Sequence, residues 1–461
     1  MRITTVRSEG IAALSYFVSS GSEAMVIDPR RDAVIYQKLA EAADSKITYI
    51  FETHRNEDYV TGSLEVQSLA NKSEICHSKA TKFEYGDHDV SDGEIFQVGE
   101  MKITCLNTPG HTLDSMCYVV IDTSVGKDPI LAFTGDTLFV NEVGRTDLVD
   151  ITKHAEMSEI LYDSLHEVVL ELDDGVIIYP GHGAGSVCGG DIGEREFSTI
   201  GYEKRNNKWL AMLKDEFIEA KVNQNLTLSS YFKHCENLNT DGPPLVSHLQ
   251  SLESLDVDSF ESLLREPDHR AIDVRPPADF IARHIPGTVS LSLSSMGLLA
   301  GWALQSDQSF SLILNEPDNL DEARSYLLRI GYDNIIGYLK GGISAWTTAG
   351  RSLESIEKIT TDEMYDLLGG KTVSIYDVRE PHEYEAEHIA DSHNLPLTEI
   401  GSSKDYSIPN KPIAVICPSG FRSTTSASLL KRAGYEDTHV ILDGLTEWKR
   451  KGYPLTTKLH L

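Results

Sequence analysis

The C-terminal half of the chain repeats itself. "AIDVRPPADFIARHIPG", from Ala271, and "IYDVREPHEYEAEHIAD", from Ile375, carry the same polar residues at the same spacing: Asp273, Arg275 and His284, then Asp377, Arg379 and His388. Two more segments match, "RIGYDNIIGYLKGGISAW" ending at Trp346 and "RAGYEDTHVILDGLTEW" ending at Trp448. A duplication this long constrains the fold strongly. Each copy, of roughly 100 residues, has to close its own core as a domain. Strand-like apolar runs alternate with helical periodicity in both copies. That alternation predicts a parallel sheet with helices on each face.

The repeat is set off from the rest by "NLNTDGPPLVSHL", where Gly242, Pro243 and Pro244 break regular structure. Three domains are expected, over 1–245, 255–352 and 357–461. In the first, short apolar runs end in polar residues: Ala24 to Asp28, Ile47 to Phe51, Lys102 to Leu106, Ile130 to Phe133 and Val176 to Tyr179. A helix is predicted after Asp150, with Met157, Leu161, Leu165 and Val168 on its buried face.

In the second copy a buried strand, Ile413 to Ile416, delivers Cys417 into the loop "CPSGFR", and a helix is expected near Ser423. Backbone N–H groups, the helix N-terminus and Arg422 then surround the sulfur, and Gly420 lets the backbone curl. Such a cradle favours a negatively charged sulfur, whether thiolate or persulfide. The loop resembles the active-site loop of rhodaneses, sulfurtransferases that carry sulfur as a cysteine persulfide. The repeated D-V-R, the H-I segment and the G-x-x-x-W ending are similar to rhodanese as well. The resemblance implies that Cys417 and Arg422 are catalytic, with Pro418, Ser419, Gly420, Phe421 and Ser423 enclosing the substrate sulfur. The first copy has Leu314 where Cys417 is expected, so it reads as a structural or docking module without sulfur carriage.

Four segments mark the N-terminal domain: "ETHRNEDYVTG", "TPGHTLDSMCY", "AFTGDTLFVNEVGRTDL" and "IYPGHGAGS". In this order they resemble the metallo-β-lactamase motif set, and "GRTD" is similar to the glyoxalase II and persulfide dioxygenase branch. The fold class implied is α/β multidomain: an αββα metallo-β-lactamase sandwich followed by two α/β rhodanese domains with parallel sheets. The architecture resembles persulfide dioxygenase–rhodanese fusions, whose single Fe(II) is held by two histidines and a carboxylate. Carried over residue by residue, that ligand set is Asn56, His111 and Asp136, with His54 as the histidine left to replace the amide. Asn56 and Tyr59 stand where the motif has histidines, and Asp58 and His182 remain of a second position that is expected to be empty.

Three readings follow. His54, His111 and Asp136 hold one Fe(II); or no metal binds and the domain is a persulfide-binding scaffold; or the domain is a zinc thioester hydrolase. The two substitutions damage the hydrolase most and predict a weak or absent metal. Cys188, in a Gly-rich loop after His182, is expected either to take up sulfur or to be an ordinary thiol. Arg205, in "GYEKRNNKW", is a candidate contact for the acidic groups of a thiol cofactor.

Composition supports sulfur metabolism only by exclusion. A net charge of −30 disfavours nucleic acid and anionic membranes as partners. No apolar run approaches a membrane span, and the start, MRITTVRSEG, lacks a signal-peptide pattern, so a cytoplasmic location is expected. Expected partners are a low-molecular-weight thiol persulfide, thiosulfate or sulfite. The resemblance also implies a homo-oligomer, a dimer or a tetramer.

Overall fold

A computed structural model describes residues 1–457 apart from 71, 225, 227, 316–318, 369–372, 403–405, 407 and 409–411. The chain forms two compact units. The first takes Met1–Leu226, Phe232–His248 and Leu328–Gly331; the second takes Thr227–Tyr231, Leu249–Leu327 and Tyr332–Leu461. Among the described residues no helix is long and apolar enough to cross a membrane.

The first unit is a sandwich of two six-stranded sheets. One contains β1 (Arg2–Ser8), β2 (Ala13–Ser20), β3 (Glu23–Ile27), β4 (Lys46–Phe51), β5 (Glu74–Ser78) and β6 (His88–Val90), in chain order. Its first three strands are antiparallel, and β3 to β6 run parallel. The other contains β7 (Ile95–Val98), β8 (Met101–Asn107), β9 (Met116–Asp122), β10 (Leu131–Gly135), β11 (Ile177–Pro180) and β12 (Ser198–Thr199). Here only β10 and β11 are parallel.

Alternation along the strands sends Tyr16, Met25 and Phe51 from one sheet, and Ile103, Tyr118 and Phe133 from the other, into a shared core. Each large apolar side chain buried there contributes about 1.5–3 kcal/mol. The outer faces are covered by helices. Val34–Ala42 and Ser63–Ala70 cover the first sheet, through Tyr36, Ala40 and Val66. His154–Glu167 and Lys214–Val222 cover the second, through Leu161, Leu165 and Phe217. The expected αββα sandwich is present. The helix after Asp150 ends one residue earlier than its periodicity suggests: Val168 leaves helical geometry, and Val169 takes the buried position.

The second unit has two five-stranded, all-parallel sheets. The first uses β13 (Glu253–Leu255), β14 (His269–Asp273), β15 (Val289–Ser290), β16 (Ser309–Ile313) and β17 (Ile335–Leu339). The second uses β18 (Glu357–Lys358), β19 (Ser374–Asp377), β20 (His393–Asn394), β21 (Ile413–Ile416) and β22 (Thr438–Val440). Their strand orders, β13-β17-β16-β14-β15 and β18-β22-β21-β19-β20, are the same permutation, as the sequence duplication requires.

The duplicated polar residues are architectural. Arg275 pairs with Asp273 through two nitrogens at 2.8 and 2.6 Å and donates to the Arg283 carbonyl. Arg379 does the same with Asp377 and the Glu387 carbonyl. Each buried pair ties a strand end to the far end of the next helix. His284 and His388 bond the carbonyls of Phe280 and Tyr384, and Trp346 and Trp448 donate to the carbonyls of Ser352 and Pro454.

One motif glycine has a packing role. At Gly110 of "TPGH" φ is +136°, and a Cβ there would lie 2.4 Å from Cα of Leu161. The turn that presents His111 therefore rests directly on the backbone of the helix His154–Glu167. Gly110→Ala is expected to destabilise the first unit by about 2–3 kcal/mol, from backbone strain plus overpacking. Its thermal midpoint should fall by roughly 5–10 °C. A midpoint within about one degree of wild type would contradict this packing.

Candidate functional site

Parallel pairing sets the first candidate site. β10 and β11 run side by side with Gly135 opposite Pro180, so the residues just beyond them, Asp136 and His182, emerge together. β4 ends next to β3, and beyond it the Thr53 N–H donates to Asp28 Oδ1 at 2.7 Å. His54 follows. His111 leaves the turn after β8. All four side chains are buried.

Ligand atoms of His54, His111 and Asp136 lie within 4.8 Å of one another. Asp136 Oδ2 is 3.4 Å from His111 Nε2 and 3.9 Å from His54 Nε2, and the two imidazoles meet edge to face at 5.0 Å. Hydrogen bonding behind the rings fixes their tautomers. The Arg145 carbonyl, which only accepts, sits 2.9 Å from His111 Nδ1. Thr53 donates its hydroxyl proton to Asp28 Oδ2 and is thereby left to accept from His54 Nδ1 at 2.9 Å. Both Nε2 lone pairs therefore face the Asp136 carboxylate, and His111 Nε2 has no hydrogen-bond partner among the described residues. Acceptors facing acceptors in a buried pocket form a group that could hold a cation.

The electrostatics agree. Burial pushes the His54 imidazole down to about 3 against the pull of Asp136, and burial lowers His111 too, so both rings are neutral as metal ligands must be. For Asp136 burial works upward, but His182, His54 and His111 together hold it below the usual carboxylate range.

Of the two candidates in this segment, His54 lies with His111 and Asp136. The Asn56 amide nitrogen turns back to donate to the His54 carbonyl at 3.3 Å. His54 occupies the place that the carry-over gave to Asn56. These three candidate ligands are brought together with Asn56 in place of the motif histidine. The segment is held from outside the motif, by Asn239: its amide donates to the carbonyls of Asn56 and Tyr59 at 2.7 Å and accepts from the Thr61 N–H. Arg55 pairs with Glu236 at 2.8 Å. Tyr59 is buried, with its ring 6.1 Å from that of His182.

Asp58 and His182 converge on each other at 2.9 Å and bring in a third residue, Cys188, within 4.8 Å. Cys188 is a free thiol, buried beside Phe139 and Ile192. Burial, with Asp58 and Asp136 nearby, pushes its thiol well above the ordinary range. Arg145 of "GRTD" links the two groups. Its carbonyl orients His111, its N–H donates to the Cys188 carbonyl, and its guanidinium donates to the Val187 carbonyl and pairs with Asp147. Nothing in local sequence patterning marks Arg145 for this role. The signal available was the "GRTD" motif itself.

Cys417 forms the second candidate site, in the other unit. It follows β21, is buried, and receives the N–H groups of Gly420 at 3.2 Å and Ser423 at 3.3 Å, with Ser423 Oγ at 3.4 Å. The helix begins at Phe421, two residues earlier than expected, with Gly420 at φ +88° as its cap. Cys417 therefore sits directly on the helix N-terminus. Arg422, close enough to Cys417 to feel its charge, has a partner that the sequence did not reveal. Its guanidinium forms a bidentate pair with Glu383 at 2.6 and 2.8 Å, so its charge is balanced by a carboxylate from the helix Pro381–Ala386. Glu383 was not singled out from the sequence, because it lies in an acidic stretch.

Gly444, the glycine of the G-x-x-x-W ending, supports the loop from below. A Cβ there would lie 2.4 Å from the Pro418 carbonyl oxygen and 2.5 Å from that of Cys417. Leu445 and Thr446 donate their N–H groups to the same two carbonyls. In the first copy Gly342 packs in the same way under Leu314, so Leu314 does occupy the cysteine position. The Arg205 side chain is 67% exposed and stands 3.8 Å from Asp174 in a surface ion pair.

Comparison with known proteins agrees with this architecture. Residues 9–182 match the metallo-β-lactamase superfamily, and residues 256–349 and 360–451 each match the rhodanese-like domain. The mitochondrial persulfide dioxygenase of Bos taurus is 30% identical over 209 residues, covering 44% of this chain and 73% of the relative. The hydroxyacylglutathione hydrolase of Dictyostelium discoideum is 25% identical over 230 residues, 50% of this chain and 80% of the relative. A metallo-β-lactamase structure from Staphylococcus aureus subsp. aureus COL superimposes with a TM-score of 0.66 at 27% identity, covering 74% of this chain and 99% of that one. The chain belongs to the metallo-β-lactamase family that includes the persulfide dioxygenases, in a fusion with two rhodanese-like domains.

Proposed function

We propose that the chain is an enzyme of reactive sulfur metabolism with two chemistries: oxidation of a thiol persulfide to sulfite in the first unit, and sulfur transfer through Cys417 in the second. The observation that carries the first is the convergence of His54, His111 and Asp136 with both Nε2 lone pairs turned inward. Two imidazoles and one carboxylate suit ferrous iron, which when bound supplies a redox-active Lewis acid with open positions for dioxygen and substrate. The protein's part is positional. Thr53 and the Arg145 carbonyl hold the rings, burial keeps them neutral, and Asp136 supplies the negative charge.

For sulfur transfer, the Cys417 sulfur attacks the outer sulfur of a persulfide or thiosulfate. The donor S–S bond breaks, the thiolate or sulfite leaves, and Cys417 carries a persulfide. The N–H groups of Gly420 and Ser423 are placed to stabilise negative charge on sulfur. Sulfite made in the first unit is an acceptor for this sulfur, giving thiosulfate. Likeness to a hydroxyacylglutathione hydrolase supports a thioester hydrolase as the second reading; Tyr59, in place of a histidine ligand, weighs against it.

Full-length protein prepared without oxygen is expected to contain iron and to consume oxygen when given a thiol persulfide. His111→Ala should lose both while keeping sulfurtransferase turnover. Zinc with thioester cleavage would support the hydrolase, and no metal would leave a scaffold. Cys417→Ser should abolish sulfur transfer and leave oxygen uptake intact. Gly444→Ala, which displaces the loop carbonyls, should lower sulfur transfer by about a hundredfold, as small misplacements of a reacting atom do. Unchanged turnover in either variant would contradict the assigned role.

A further inference from the structure

Two arginines meet where the rhodanese-like copies pack together. Arg270 lies in β14 of the first copy, and Arg432 closes the helix Phe421–Arg432 of the second. Arg270 Nη1 donates to the carbonyls of Pro267 and His269 at 2.7 and 2.8 Å. Arg432 donates to the Gly287 carbonyl at 2.9 Å through Nη1 and to that of His269 at 3.2 Å through Nη2. One carbonyl oxygen therefore holds both guanidinium groups side by side. Among the described residues neither forms an ion pair, although the chain carries 71 acidic residues against 41 basic ones.

The pair lines a cleft of about 350 Å³, and among the described residues no carboxylate lines it. Gln308 adds a third donor to the wall. Only 8% of this residue is exposed, and its Oε1 is taken by the Gln305 N–H at 3.0 Å. Its Nε2 is thereby turned the other way, with two N–H groups that have no partner among the described residues. Ile400, Leu429 and Ala303 make the wall apolar elsewhere.

Like charges held together repel, and removal from water adds to the cost. Burial and the Arg432 charge push Arg270 down to about 10, while Asp268 and Asp307 pull the other way from beyond ion-pair distance. Burial lowers Arg432 too. A cation in the last turn of a helix suits the helix dipole, which accounts for Arg432 alone. It does not account for two charges sharing a carbonyl beside an unpartnered amide donor. A bound anion accounts for all three. Guanidinium groups pair with tetrahedral oxyanions through parallel N–H bonds. The cleft is roomier than such an anion and falls among the volumes of small-molecule sites.

We propose that this cleft binds a tetrahedral dianion of the phosphate class, held by Arg270, Arg432 and Gln308, either free or as the head group of a small organic molecule. Each copy supplies one arginine, so the copy without a cysteine contributes half of the positive charge. The site does not depend on the sulfur chemistry proposed above.

The test is isothermal titration calorimetry on the full-length chain in low-salt buffer, with inorganic phosphate and phenyl phosphate as separate probes. Wild type should bind both saturably. Arg270→Gln and Arg432→Gln should each weaken binding by about tenfold or more, as loss of a hydrogen-bonded charge does. Arg450→Gln, which changes a surface arginine paired with Glu447, should bind as wild type does. Gln308→Glu supplies the missing counter-charge, so it should raise the thermal midpoint and abolish binding. Tighter binding of phenyl phosphate supports an organic ligand, and equal binding supports a free anion. No saturable binding to wild type, unchanged affinity in either arginine variant of the cleft, an equal loss in Arg450→Gln, or binding retained in Gln308→Glu would overturn the proposal.

Discussion

The Asp136 carboxylate is the constraint on which the first unit's chemistry depends. One oxygen faces His54 and His111; the other orients His182. A single buried charge thus organises two donor groups. The fold makes that possible by ending two parallel strands in register and closing in on the carboxylate. A Cβ at Gly181 would lie 2.5 Å from Asp136 Oδ1, and one at Gly144 would lie 2.0 Å from the Asp136 carbonyl oxygen. Larger residues there would displace the group that the histidines surround.

Much of the architecture was legible because its signals are local. The duplication, the strand ends and the Cys-to-helix loop are each contained in one short segment, and each appears within two residues of where sequence spacing puts it. The candidate ligands His54, His111 and Asp136 were legible in the sequence, but their convergence was not. Motif order left Asn56 beside His54 as a candidate, because the partners that hold "HRNED" lie far away in sequence. Asn239 reaches the segment from a distant helix, and Asp28 reaches it through Thr53. Arg145, Glu383 and Gly444 were missed for the same reason. Each acts on a functional residue through a tertiary contact that has no periodicity to read.

The first rhodanese-like copy, without its cysteine, retains a physical task. The helix that begins over Cys417 is lined with small hydroxyl residues and lies against β15 of that copy. Thr425 Oγ1 donates to the Ser290 carbonyl, and Ser428 Oγ accepts from the Ser290 N–H. Hydroxyls so placed satisfy an edge strand that would otherwise be open, and they hold the helix whose N-terminus faces the sulfur. The copy without a cysteine thus supports the helix of the copy that carries Cys417.

Both units hold buried, preorganised polar groups, and the proposed iron position in the first rests on His54, His111 and Asp136. Extended X-ray absorption fine structure on the iron-loaded full-length chain tests it most directly. Iron held by His54, His111 and Asp136 should show a shell of nitrogen and oxygen scatterers, with the outer-shell pattern of two imidazoles and no sulfur in the absence of substrate. A sulfur scatterer in that shell, or the pattern of a single imidazole, would contradict the assignment.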